Sequence, residues 1–284
     1  MRIFLVLVLL VFTLQAKSLF SNKEQESNAQ YLDELKNLVI ATQKTRGLTN
    51  SYMNGSESAL LLIQANKRDM KKAIGEMESL PLSENPIISS RATTISQALI
   101  KLNSKALSQP ADKTFKEYTE QIEQMLMLAQ TVSKQGSKDL NKFGKEASNV
   151  MMETILPLTE QIGRMRGLGS GIIAKKKITK EEVFALQTML VEIDNLESQL
   201  QNQMTMLISS NQKYYKTITS RNLTDLHSAI KEYEKLTNSK IITGSFSGLN
   251  ANSYFEKGTD IITLLMKIFD ANRKAIIIDS DGWL

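Results

Sequence analysis

The chain of 284 residues has no cysteine, one histidine, one tryptophan and four prolines. Without cysteine there can be no disulfide, no thiolate nucleophile, no cysteine-ligated metal and no lipid attached through a processed cysteine. A lone histidine, His227, cannot build a histidine-cluster metal site. It falls on a predicted helix among polar residues and reads as an ordinary surface residue. No serine sits in a Gly-x-Ser-x-Gly elbow and no phosphate-binding glycine loop is present. These absences exclude the common catalytic constellations, so the chain is expected not to be an enzyme and to carry no cofactor. Aromatics make up 6% of residues, and the net charge of +5 is spread along the chain. Neither a stacking platform nor a basic arm for nucleic acid is indicated.

What is present begins at the N-terminus. Arg2 precedes an unbroken, mostly apolar run from Ile3 to Leu14, and Ala16 offers a small residue before Lys17. That order is the pattern of a cleavable signal peptide over residues 1–16. The run is shorter than the roughly 20 residues that span a bilayer; an uncleaved anchor is the alternative. The mature chain is therefore expected to be periplasmic or secreted.

Beyond the leader, glycine and proline are scarce while Leu, Lys, Glu, Gln, Met and Ser abound, a composition that favours helices. Apolar residues recur at spacings of three and four. Residues 24–53 carry Leu32, Leu35, Val39, Thr42, Arg46, Thr49 and Met53 on one stripe, and 57–79 carry Leu60, Ile63, Met70, Ile74 and Met77. A further helix, with Asp112 as its N-cap candidate, bears Phe115, Tyr118, Ile122, Met125, Ala129 and Val132. Thr179 and Glu182 form a capping box before Val183, Leu186, Leu190, Ile193, Leu200, Met204 and Leu207. A last helix is predicted over about 258–274, and segments near 87–108, 140–174 and 222–237 also read as helices. Pro81, Pro86 and Pro110 punctuate connections; Pro157, inside an apolar-periodic segment, predicts a kink or a helix start. The stretch 240–254 is the best loop candidate, and Asp279-Ser280-Asp281-Gly282 reads as a frayed tail. Thirteen methionines fall mostly on the stripes, as core filler. No segment alternates long enough to demand a sheet. The fold expected is all-α: an elongated helical bundle, with 17–137 and 138–284 as its two halves.

The halves share a repeat. Lys44-Thr45-Arg46-Gly47-Leu48 and Arg164-Met165-Arg166-Gly167-Leu168 both read basic-x-Arg-Gly-Leu, 120 residues apart. The same shift carries the first stripe onto Met152, Ile155, Thr159, Ile162, Arg166, Gly169 and Ile173. Each half thus places one arginine on an otherwise apolar, core-facing seam. A buried guanidinium needs a partner, because an unpaired one costs several kcal/mol. The partner is either a carboxylate from another helix or a bound anion, and the spacing leaves both open. Gly47, Thr49, Ser51, Gly167, Gly169 and Ser170 are small enough to leave space beside the guanidinium groups, and their hydroxyls can donate. A guanidinium offers a rigid donor fork suited to planar oxyanions.

The segment Gln43-Lys44-Thr45-Arg46-Gly47-Leu48-Thr49, followed by Gln64 and Arg68-Asp69, resembles the nitrate- and nitrite-sensing domain family. Phe115 to Leu126, the second Arg-Gly-Leu at 166–168, and Tyr254-Phe255 with Thr259-Asp260-Ile261-Ile262 are similar to later landmarks of that family. The resemblance covers nearly the whole mature chain. It implies two linked four-helix bundles, nitrate or nitrite as ligand, and a homodimer. It maps ligand-binding roles onto Arg46 and Arg166, with Lys44 and Arg164 as basic neighbours and Thr49 beside them. The chain departs from the family's frequent Arg-Glu-Arg-Gly in having Lys44 and Thr45. No kinase, cyclase or methyl-accepting helix pair is present, so a signal would pass to a separate membrane receptor or other partner. The alternative is a periplasmic scaffold or adaptor that docks a membrane or envelope protein without a small ligand; each seam arginine would then meet an acidic side chain.

Overall fold

The structure, a computed structural model, describes the backbone of residues 2–218 and 220–281 and the side chains of 25–218 and 220–279. The signal peptide expected at 1–16 falls outside the described side chains. Among the described residues there is no strand, and the chain is an all-α bundle. No helix among them is long and apolar enough to cross a membrane.

The first half contains α1 (Arg2–Met53), α2 (Ala59–Glu78), α3 (Pro86–Lys105) and α4 (Ala111–Gly136). The second contains α5 (Lys142–Asn149), which runs through a π-helical turn (Val150–Ile155) into α6 (Leu156–Lys175), then α7 (Lys180–Ser210), α8 (Ser220–Leu236) and α9 (Ala251–Asp281). Each half packs as four helices, α5 and α6 counting as one bent rod. Helix α1 packs on α2 and α4, and α6 packs on α7 and α9; α1 and α6 pack on each other and join the halves.

Sequence chemistry sets the element ends. Asn85 caps α3, accepting from the N–H groups of Ile87 and Ile88, and Pro86 occupies the first helical position, where no N–H is needed. Pro110, and not Asp112, is the residue before α4; Asp112 sits inside the first turn, where its charge complements the helix dipole. The capping box of Thr179 and Glu182 is formed. Pro157 lacks an N–H and its ring crowds the carbonyl four residues back. The ladder loosens just before it: the Leu156 N–H reaches back five residues to Met151 O.

The seam stripe of α1 is buried from Leu32 through Thr49, and its counterpart on the π-helical turn and α6 is buried from Met152 through Ile173. The last helix is longer than the periodicity suggests. It begins at Ala251, inside the expected loop, and runs to Asp281. Asp279 is no frayed tail: it is buried, and accepts hydrogen bonds from Asn141 Nδ2 (2.5 Å) and the Tyr214 hydroxyl (2.7 Å).

Candidate functional site

The site grows from the crossing of α1 and α6. Gly47 and Gly167 meet there. A methyl placed on Gly167 would stand 2.9 Å from Gly47 Cα, and one placed on Gly47 would stand 3.1 Å from Gly167 Cα. Only glycine permits that approach. Asn50 Nδ2 ties the crossing by donating to Gly167 O (2.9 Å). The space over Gly47 and Gly167 is thus taken by helix contact. Aromatic rings lie against the glycines: Phe255 on Gly47, Phe115 on Gly167, and Tyr254 on Gly169.

The close crossing sinks the two neighbouring arginines into the core. Arg46 is 0% exposed and Arg166 1%. Their surroundings repeat. Arg46 lies over the Phe115 ring at 5.0 Å and donates from Nη1 to Thr119 Oγ1 (2.9 Å). Arg166 lies over the Phe255 ring at 4.4 Å and donates from Nη1 to Thr259 Oγ1 (2.9 Å). Each threonine hydroxyl in turn donates to the carbonyl of its own phenylalanine, four residues back. Helices α4 and α9 therefore supply matching Phe-x-x-x-Thr brackets, 140 residues apart.

The repeat breaks at one point. Glu160 of α6, itself buried, grips Arg46: Nη1 donates to Oε1 (2.6 Å) and Nη2 to Oε2 (3.2 Å). Gln43 Nε2 donates to the same carboxylate (2.9 Å). The position equivalent to Glu160 in the first half, 120 residues earlier, is Ile40. Arg166 consequently has no carboxylate within ion-pair range among the described residues. Its Nε and Nη2 are buried without a hydrogen-bond partner. Those two N–H groups lie on one edge of the guanidinium, the edge that can bind two oxygens side by side. Burial pulls the Arg166 guanidinium down to about 10; the nearby charge of Arg46 works in the same direction, while Tyr233 and Glu160 oppose it. Tyr233 packs beside Arg166 against Gly258, its ring 4.6 Å from that of Tyr254, and burial raises its hydroxyl well above the ordinary range.

The other sequence-derived residues do not converge on this point. Lys44 and Arg164 each stand two residues before a seam arginine, about 200° around the helix, and are half-buried. Arg164 lines an open groove with Asn50, Asn54, Phe115, Lys175 and Glu182. Thr49 is fully buried and its hydroxyl has no partner. His227 is on α8, its Nδ1 3.1 Å from Glu197 Oε1. No cluster of three or more side chains suited to a metal occurs among the described residues.

Glu160, Thr119, Thr259, Phe115, Phe255 and Tyr233 were not singled out as site residues by sequence reasoning. The recurrence of Phe-x-x-x-Thr at 115–119 and 255–259 is a signal that finds four of them. Glu160 has no such signal, because it lies where the two halves differ.

A family model described as nitrate and nitrite sensing matches residues 37–276. Among solved structures, the chain is similar to that titled "Structure of the NasR transcription antiterminator", with a TM-score of 0.68 and 12% identity. That match covers 97% of this chain and 74% of the other. At that identity the likeness shows a shared helical fold. No curated protein matches the sequence.

Proposed function

The chain belongs to the nitrate and nitrite sensing family, and we propose that it is an exported sensor that holds nitrate or nitrite on the free edge of Arg166. The observation that carries this reading is a guanidinium 1% exposed that has, among the described residues, no carboxylate partner and no hydrogen-bond partner for Nε or Nη2. An unpaired buried charge costs several kcal/mol, and a bound anion offsets that cost. The free edge selects among anions. Nitrate and nitrite each present two oxygens in one plane and match a side-on fork. Chloride is a single acceptor that two N–H groups must share through bent hydrogen bonds, whereas two oxygens each align with one. Sulfate carries twice the charge into a site with little water, at a larger desolvation cost. Phe255 stacks on the guanidinium and Thr259 fixes its other end, so the fork is held in one orientation before ligand arrives.

Export rests on the leader pattern of residues 1–16. Ligand neutralises Arg166 at the junction of the two halves and favours the α1–α6–α9 packing that binds it better; only such differential affinity can shift a packing equilibrium. A separate membrane receptor or signalling partner reads that packing, and a homodimer is the form in which it does so. The Arg46–Glu160 ion pair favours the second reading, a scaffold with no small ligand, but among the described residues Arg166 has no acidic partner such as that reading requires.

Calorimetric titration of the purified protein with nitrate, nitrite, chloride and sulfate tests the proposal. Saturable heat with nitrate or nitrite and none with chloride is expected. Silence with all four anions transfers the case to the scaffold, for which capture of a membrane partner is the next experiment.

A further inference from the structure

We infer that Glu160 is a tethered anion: its carboxylate occupies the Arg46 half of a two-fold repeated oxyanion site and limits the chain to one bound oxyanion. The inference rests on the reading that Arg166 takes an oxyanion, and it assigns Glu160 a role that the scaffold around it explains. The two arginines have the same bracket: a phenylalanine face, a threonine hydroxyl at 2.9 Å from Nη1, and a glycine at the helix crossing. What differs is the anion. On Arg46 two carboxylate oxygens lie 2.6 and 3.2 Å from Nη1 and Nη2. A carboxylate is planar with two oxygens about as far apart as those of nitrate, so Glu160 presents to the Nη1–Nη2 end of Arg46 the shape that a free oxyanion would present to the Nε–Nη2 edge of Arg166. On Arg166 the equivalent position holds Ile40, whose side chain cannot accept a hydrogen bond.

The tether sets the balance. A carboxylate held on the neighbouring helix is an intramolecular ligand, and millimolar free nitrate competes poorly with such a group. Gln43 strengthens the hold by donating to Glu160 Oε2 at 2.9 Å. Two charged arginines this close also repel, and Arg46 disfavours the charge on Arg166. Glu160 relieves that repulsion and favours the charge on Arg166. The internal anion therefore does two things: it closes one half-site, and it keeps the open half cationic.

The test counts bound nitrate per chain by calorimetry in the full chain, in Glu160→Gln, and in Glu160→Gln combined with Arg46→Gln. Glutamine removes the charge and one of the two acceptors, and its NH2 group cannot accept from Arg46, so the side chain loses its hold on the guanidinium and yields to a free oxyanion. One nitrate in the native chain, two in Glu160→Gln and one in the double variant is the expected result. One nitrate in both the native chain and Glu160→Gln overturns the tethered anion and leaves the Arg166 reading standing. None in the native chain but one in Glu160→Gln keeps the tethered anion and removes the Arg166 site. None in either overturns both. If Glu160→Gln is unfolded in buffer, recovery of its helical signal by nitrate but not by chloride supports the inference, and failure to recover while the double variant folds overturns it.

Discussion

Gly47 and Gly167 face each other across the α1–α6 crossing so closely that a single methyl on Gly167 would stand 2.9 Å from the Gly47 backbone. That contact places Arg46 and Arg166 in the core on either side of the crossing and brings the two halves of the chain to one point. Replacing Gly167 with alanine forces α6 off α1 and pushes against the Phe115 ring as well. Overpacking of this kind costs about 1–3 kcal/mol. Chemical denaturation of Gly167→Ala should register that loss, together with weaker nitrate binding because the Arg166 fork is displaced. Unchanged stability would mean that the crossing is looser than its geometry.

The two arginines should answer differently to removal. Arg46→Met strands the buried Glu160 carboxylate, and breaking a buried pair from one side costs about 3–5 kcal/mol. Arg166→Met removes a buried charge that has no carboxylate partner, and fills the space with an apolar chain of similar length. Without nitrate it should be near neutral or stabilising, and nitrate should no longer raise its melting temperature. Such a gain in stability bought with a loss of binding is a common signature of a functional residue. Equal losses for the two variants would instead make Arg166 structural.

Burial holds the Arg166 guanidinium at about 10, well below its ordinary value. An anion binds the protonated form, so affinity follows the fraction charged. Nitrate affinity should be flat from about pH 6 to 9. Above about pH 10 it should fall, approaching tenfold per pH unit, because each proton lost costs one binding-competent charge. Titration at a series of pH values, with circular dichroism reporting that the fold is intact, checks this. An affinity that collapses between pH 6 and 8 would point to a different titrating group.

The helices were legible because their stripes are strict. Leu32 through Thr49 on α1 and Met152 through Ile173, on the π-helical turn and α6, read as buried faces, and both are buried. The Thr179 capping box and the disturbance at Pro157 follow from chemistry local to a few residues. At the start of α4, Asp112 and Pro110 both suit a helix start, and only the backbone decides between them. The last helix was cut short because Asn252 and Ser253 look like loop residues; here they lie on the exposed face of α9. The site was legible in part. A 120-residue shift exposes Arg46 and Arg166 because it seeks residues that agree. The same operation hides Glu160, which matters because Ile40 disagrees with it. Lys44 and Arg164 were grouped with the seam arginines by closeness in sequence, but a helix turns residues two apart to nearly opposite sides.

A structure of the protein crystallised with nitrate tests the central claim most directly. The expected result is a planar anion in the core with two oxygens within hydrogen-bond distance of Arg166 Nε and Nη2, and Glu160 still closed on Arg46. Nitrate seated on Arg46 with Glu160 displaced, or an Arg166 edge that stays unoccupied at saturating nitrate, would contradict it.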